Sequence, residues 1–241
     1  MNMMIIITVM TAIVSYLIGS VNFSILISKA ISGKDIRESG SGNAGATNML
    51  RTHGKKMAII TLLCDIAKGV IVVVLAYVAA LYLWASFTTL EPIRAGVYNI
   101  NTSLVPDTLC EVLPYMAGLF VMLGHCFPVF FGFRGGKGVA TALGVVMSLD
   151  WQIGIIVLVV ALAIMVITRY VSLGSVVAAA LFVVLIIAKQ ILTGNMNPYI
   201  IVCSALMGFL IILRHHANIS RLIHGTENKL GMKKKETDNE G

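Results

Sequence analysis

Three stretches of the sequence concentrate residues able to hold an anion or move a proton. In GSGNAGATNMLRTHGKK (residues 40–56), Gly40, Gly42 and Gly45 let the backbone turn its amides toward a ligand. Ser41, Asn43, Thr47 and Asn48 add neutral donors there, and Arg51 adds a planar cationic fork matched to phosphate. The glycines fit G-x-G-x-x-G, but no strand precedes them, so a dinucleotide reading is weak. A flexible, glycine-rich connector is the plain alternative. In GHCFPVFFGFRGGKGVAT (124–141), Gly132, Gly135, Gly136 and Gly138 surround Arg134 and Lys137 at the opening of an apolar run. A glycine loop entering a helix N-terminus is an anion site, because free amides and the positive dipole end point the same way. It lacks the six-residue frame and the Ser/Thr of a Walker loop. As an alternative, two basic residues beside an apolar run are simply anchors. In ILRHHANISRLIHGTENKLG (212–231), His215, Asn218 and Arg221 recur every third residue and share one broad helical face. A possible base, an amide and a cation meet there. Ser172 lies in the short connection 168–175 beside Arg169.

Other chemistries find little support. The histidines have no carboxylate or thiolate at ligand spacing, and no His-Glu-x-x-His occurs, so no metal is expected. No lipase-type G-x-S-x-G is present, and Cys64, Cys110, Cys126 and Cys203 have no short pairing and read as packing residues. No cofactor is implied. Anion-binding donors with one or two histidines suit transfer between phosphorylated substrates better than hydrolysis. Asp65 and Lys68 are helix neighbours inside an apolar run; they either neutralise each other or hold a site from beneath. Asn22 and Ser24 are expected to bridge helices, and His53 and His125 to be structural.

These groups sit in an unusual setting. Of 241 residues, 58% are apolar and only 12% charged, about half the charged share of a soluble domain, and the mean hydropathy is +0.91. So few charges cannot cover a surface facing water, whereas lipid solvates what water cannot. The formal charge of +7 would suit nucleic acid, but the basic residues lie between apolar runs rather than on one polar face. The sequence therefore predicts an all-α, polytopic membrane helix bundle. The first basic residue, Lys29, follows the first apolar run, so that run is expected to stay as a span with the N-terminus outside.

Apolar runs occupy 3–28, 57–88, 113–131, 138–168, 171–188 and 198–213. The fourth is too long for one crossing of a ~30 Å core, and Asp150 with Trp151 interrupts it. If it turns at Asp150, fifteen of the 18 basic residues fall on one side, as the positive-inside rule requires. The expectation is seven transmembrane helices, N-terminus outside and C-terminus cytoplasmic, with all three polar stretches on the cytoplasmic side. Residues 89–112 read as an external loop. Residues 1–230 form a single domain, and 231–241 a charged, disordered tail near anionic lipid.

SGNAGATNMLR, GHCFPVFFGFRGGKG and RHHANISRLIHGTE resemble, in order and spacing, three cytoplasmic motifs of the bacterial acyl-phosphate-dependent glycerol-3-phosphate acyltransferases, the PlsY family. CDIAKG in the second run and the RYVS connection extend the resemblance over essentially the whole chain. It implies a seven-span protein of the bacterial inner membrane whose active site faces the cytoplasm. Such a protein moves a fatty acyl group from acyl phosphate to the 1-hydroxyl of glycerol 3-phosphate. The products are lysophosphatidic acid and phosphate, the first committed step of phospholipid synthesis. Carried over by position, Ser41, Thr47, Asn48 and Arg51 resemble the phosphate-binding residues of the first motif. Lys137 resembles the glycine-loop lysine, and Ser172 the polar residue of the third connection. His215, Asn218 and Glu227 resemble residues of the last motif. Arg134 stands where lysine is common and Ala44 where proline is common.

Acyl phosphate is already activated, so this chemistry needs no ATP, metal or acyl-enzyme. It needs two anions held together, a task for Arg51, Lys137 and the glycine amides. The base is either His215 or a substrate phosphate oxygen, the latter favoured because no carboxylate is placed to orient His215. Other glycerol-3-phosphate acyltransferases carry His followed five positions later by Asp, which none of the five histidines here has; hence acyl phosphate as donor. A transporter of a phosphorylated solute is the rival reading, but it would place its groups near the midplane in related halves. A phosphoalcohol transferase would need a carboxylate cluster for metal.

Overall fold

The structure, a computed structural model, describes residues 2–95 and 107–230, and their side chains over 3–86 and 108–230. Ten α-helices and no strand occur among the described residues: α1 (Asn2–Ser20), α2 (Phe23–Ser32), α3 (Ala46–Thr52), α4 (Gly54–Ala95), α5 (Asp107–Cys126), α6 (Val139–Leu149), α7 (Trp151–Thr168), α8 (Val171–Thr193), α9 (Pro198–Arg214) and α10 (His216–Ile223).

Polar residues set the helix ends. Asp150 breaks the long fourth run where expected. Its carboxylate accepts the Gln152 and Ile153 amides, both at 3.1 Å, and so caps α7. Lys189 of α8 pairs with the same carboxylate at 2.5 Å. Asn22 departs from expectation. It and Ser24 do not bridge helices; the Asn22 side chain accepts from the Ile25 amide at 3.2 Å and from the Ser24 hydroxyl at 2.7 Å. It therefore caps α2 and breaks the first apolar run in two. Lys68 covers the carbonyls this break exposes, donating to Gly19 and Val21 at 3.3 and 3.0 Å.

Two glycine pairs bring helices into backbone contact. A methyl on Gly124 would strike the Tyr16 carbonyl of α1, and one on Gly144 would strike the Ile66 carbonyl of α4. Small residues at such crossings are the usual device where lipid, not water, surrounds a bundle. Outside, Val166, Ile167 and Leu192 are 77–85% exposed, a surface only hydrocarbon would solvate. Five helical segments are long and apolar enough to span a bilayer, or six if α9 and α10, bent by 58°, count as one. α6 rises about 16 Å, roughly half a hydrocarbon core. Of the expected external loop 89–112, residues up to Ala95 continue α4 and those from Asp107 open α5; 96–106 and the tail 231–241 lie outside the described residues.

The ends of the bundle differ. One holds Asp150 with Lys189 and Asn197 with Glu111, 3.1 Å apart. The connections 33–53, 127–138, 169–170 and the segment after Arg214 gather at the other.

Candidate active site

Arg37 joins the first two connections. Its guanidinium grips Asp35 through both carboxylate oxygens and donates to the Phe131 and Arg134 carbonyls, each at 2.8 Å. Arg37 thereby holds the Asp35 carboxyl below its usual range, against the opposing effect of burial. Asn48 is fully buried; its amide donates to the Ile36 and Ser39 carbonyls at 3.0 Å and accepts from the Ser41 amide at 2.9 Å. It ties Ser39–Ser41 into a turn from beneath. His53, expected to be structural, lies 3.3 Å from the Ser32 hydroxyl and 2.8 Å from that of Thr52.

The glycine loop is folded differently from a simple amide cradle. The Gly135 and Gly136 amides donate to the Cys126 and His125 carbonyls at 3.1 and 3.2 Å, so neither is free for a ligand. Their carbonyls accept from Arg214 at 3.2 and 3.1 Å. Gly136 carries no side chain because a Cβ there would collide with the His125 ring and the Ala44 carbonyl. Gly138 turns with φ +80° and opens α6. The Val139 and Ala140 amides precede the first helical hydrogen bond of α6, from Ala142 to the Gly138 carbonyl at 2.7 Å, and lie where the helix dipole is positive.

Beyond Arg214, α10 and the strand-like segment after it close the site. Glu227 accepts from Ser172 at 2.7 Å, Asn218 at 2.6 Å and Arg221 at 2.7 Å. Lys137 in turn donates to the Asn218 oxygen. The Leu230 amide donates to the Arg169 carbonyl at 2.8 Å, and Lys229 lies over the Tyr170 ring. The three donors hold the Glu227 carboxyl below its usual range although burial pushes the other way.

These connections surround one cavity of about 990 Å³. Of the fifteen expected site residues, Ser41, Gly42, Asn43, Thr47, Arg51, Gly135, Lys137, Gly138, Ser172, His215, Asn218, Arg221 and Glu227 line it; Asn48 and Gly136 support it from behind. Polar residues outside that set also line it, among them Arg37, Asp65, His125, Arg134 and Arg214. Arg37 and Arg214 enter the sequence reading only through the charge asymmetry, although each stands within or beside a motif. Lys68 and Asp65 are an ion pair at 2.9 Å, and the lysine also donates to His125 Nδ1 at 2.8 Å. Gly19, Val21, Asp65 and His125 thus surround the ammonium, and through His125 the pair lies beneath the loop rather than standing alone. Most of the remaining wall is apolar, drawn mainly from α6, α7, α8 and α9, with Leu62 of α4 and Met122 of α5. No cluster of three or more His, Cys, Asp or Glu side chains occurs among the described residues.

Burial lowers the Lys137 ammonium to about 8; Glu227 opposes that shift, while Arg221, Arg51 and Arg214 add to it. His215 is pushed down to about 4, again chiefly by burial. Its Nδ1–H donates to the Ile211 carbonyl at 2.7 Å, which leaves Nε2 as a weakly basic acceptor.

A cationic mouth over an apolar cavity in a lipid-facing helical bundle defines an integral-membrane protein whose cavity suits an anionic, amphipathic ligand. The sequence model of the glycerol-3-phosphate acyltransferases matches residues 9–225, and the chain belongs to that family. It is 41% identical over 221 residues to a glycerol-3-phosphate acyltransferase of Bartonella henselae, covering 91% of this chain and 90% of that one. Over 223 residues it is 41% identical to that of Halalkalibacterium halodurans, covering 92% and 95%. Among solved structures, the fold is similar to PlsY, an integral membrane glycerol 3-phosphate acyltransferase, in its glycerol 3-phosphate form. The TM-score is 0.72 at 33% identity, over 93% of this chain and 96% of that one. The lysophosphatidic acid form of that protein is also similar, with a TM-score of 0.68.

Proposed function

We propose that this protein transfers a fatty acyl group from acyl phosphate to the 1-hydroxyl of glycerol 3-phosphate, yielding lysophosphatidic acid and phosphate. What carries the reading is the joining of a cationic, amide-lined mouth to an apolar cavity, which suits one soluble phosphate ester meeting one with a chain in lipid. Lipid is the medium for the second substrate; neither metal nor nucleic acid takes part.

Residues 1–230 act as one acyltransferase domain. α1, α4, α5, α6, α7, α8 and α9 are its seven spans, with the N-terminus outside and the C-terminus in the cytoplasm. The site then opens at the cytoplasmic face of the bacterial inner membrane. Support comes from the charge asymmetry and from the polar connections gathering at one end of the bundle.

Within the site, Arg51, Thr47 and Ser41 hold the glycerol 3-phosphate phosphate beside Gly42 and Asn43. Lys137, with the Val139 and Ala140 amides, holds the acyl phosphate. Two unit charges ~4 Å apart repel by about 4 kcal/mol at an effective dielectric of ~20. Arg51, Lys137, Arg214 and Arg221 offset that repulsion. Glu227 fixes Ser172, Asn218 and Arg221, and Asn218 fixes Lys137. The hydroxyl oxygen forms its bond to the acyl carbon while the carbon–oxygen bond to phosphate breaks. The hydroxyl proton passes to the departing phosphate, which leaves as hydrogen phosphate. His215 is too weak a base for this step at neutral pH and accepts a hydrogen bond instead. Orientation contributes up to about 7–11 kcal/mol in such transfers.

The test is phosphate release from palmitoyl phosphate by purified protein with glycerol 3-phosphate and a chelator present. Turnover is expected, and it should fall at least about 30-fold in Arg51→Ala and Lys137→Ala, each removing a charge-assisted contact of ~2–3 kcal/mol. Turnover with palmitoyl-CoA but not palmitoyl phosphate would overturn the choice of donor.

A further inference from the structure

The apolar part of the cavity is graded. Along α8 its wall is made of Ser172, Ser175, Ala178 and Ala179, all small, and then ends at Phe182. Phe182 is 4% exposed and belongs to the buried cluster that also holds Val157 and Ile186. The next inward residue of α8, Ile186, no longer lines the cavity. On α7 the wall ends at Gly154, where a Cβ would lie 2.5 Å from the Met147 sulfur. α6 and α7 therefore close tightly just after the Asp150 turn. The cavity is open at the polar mouth, and along α8 its wall ends at one aromatic ring.

We propose that Phe182 is the floor on which the terminal methyl of the acyl chain rests, so that this residue sets the acyl-chain length the enzyme uses. The proposal deepens the acyl-transfer reading and rests on it. From Ser172, at the mouth, to Phe182 is ten residues of helix, or about 15 Å. An extended chain with bonds of ~1.52 Å advances ~1.25 Å per methylene, so about twelve methylenes fit. The preferred donor carries about fourteen carbons. Shorter chains leave a void above the ring, and longer ones must fold.

The experiment measures kcat/KM for acyl phosphates of about eight to eighteen carbons in mixed micelles, with saturating glycerol 3-phosphate. Wild type is expected to peak near fourteen carbons and to fall at least about fivefold at eighteen, within the range that added methylenes carry in a closed pocket. Ala178 is one turn nearer the mouth. Ala178→Leu should shorten the channel by about 6 Å, move the peak to about ten carbons and lower the tetradecanoyl-to-decanoyl ratio at least tenfold. Phe182→Ala should move the peak toward about eighteen carbons. Ratios measured within one preparation do not depend on its folded fraction. The wild-type profile carries the test even if a variant fails to fold.

Activity that keeps rising through eighteen carbons in wild type, or ratios unchanged in active variants, would overturn the floor and leave acyl transfer standing. A wild type silent on every acyl phosphate would overturn the acyl-transfer reading, and the floor with it.

Discussion

Lys137 combines burial with three neighbouring arginines, and both lower its ammonium to about 8. In the proposed site deprotonation removes the charge that holds the acyl phosphate, so kcat/KM for acyl phosphate should fall about tenfold per pH unit above about pH 8. In Lys137→Arg the guanidinium stays charged, and the alkaline fall should disappear even if the maximal rate drops. A pH–rate series over about pH 6–10 decides the matter; a persistent alkaline limb in the arginine variant would locate the ionisation elsewhere. His215 makes the opposite case. Held neutral near 4, it contributes no acid limb between about pH 5.5 and 8. Any limb near 6 belongs to the second ionisation of a phosphate ester, ~6. His215→Asn should keep such a limb and retain turnover within about tenfold. Loss by a thousandfold would restore the imidazole as base.

At the scale of elements, the glycine loop is held from both sides, by His125 and Cys126 carbonyls beneath and Arg214 above. Gly136→Ala puts a methyl into the His125 ring and the Ala44 carbonyl. It should cost about 1–3 kcal/mol of overpacking and reduce activity far more than it reduces helical content. Circular dichroism beside the phosphate-release assay separates the two effects; near-normal activity would mean that the first and second connections do not touch. The Asp150 turn shows the reverse pattern. Asp150→Ala removes a helix cap worth about 0.5–2 kcal/mol, together with a half-exposed ion pair that adds little. Its melting temperature should fall while the folded enzyme keeps wild-type KM values, because the turn lies at the end remote from the site.

At the scale of the whole molecule, the mechanism requires four separate connections to share one compartment. In a cysteine-free background, single cysteines at Glu38, Arg134 and Thr226 should react with an impermeant maleimide only after the cytoplasmic face is opened. One at Gln190 should react from outside. A mixed pattern among the first three would dismantle the site. The exposed belt of Val166, Ile167 and Leu192 should make the protein dependent on detergent or lipid throughout.

Much was legible in the sequence because the information is local or cumulative. Apolar run lengths place the helices, the interruption at Asp150 places the extra turn, and charge asymmetry sorts the connections. Residue types within the motifs identified thirteen of the cavity's polar or glycine lining positions. Only the tertiary structure could decide the rest, because these facts depend on hydrogen bonds between distant segments. Asn22 caps a helix instead of bridging two because its side-chain oxygen accepts from the Ile25 amide and the Ser24 hydroxyl of its own segment. The Gly135 and Gly136 amides face their own chain, so the proposed acyl-phosphate contacts fall to Lys137 and the first turn of α6. Glu227, an anion in an anion site, makes sense once three donors from different elements are seen to converge on it. Burial, which no sequence spacing reveals, sets the working charge of Lys137 and of His215.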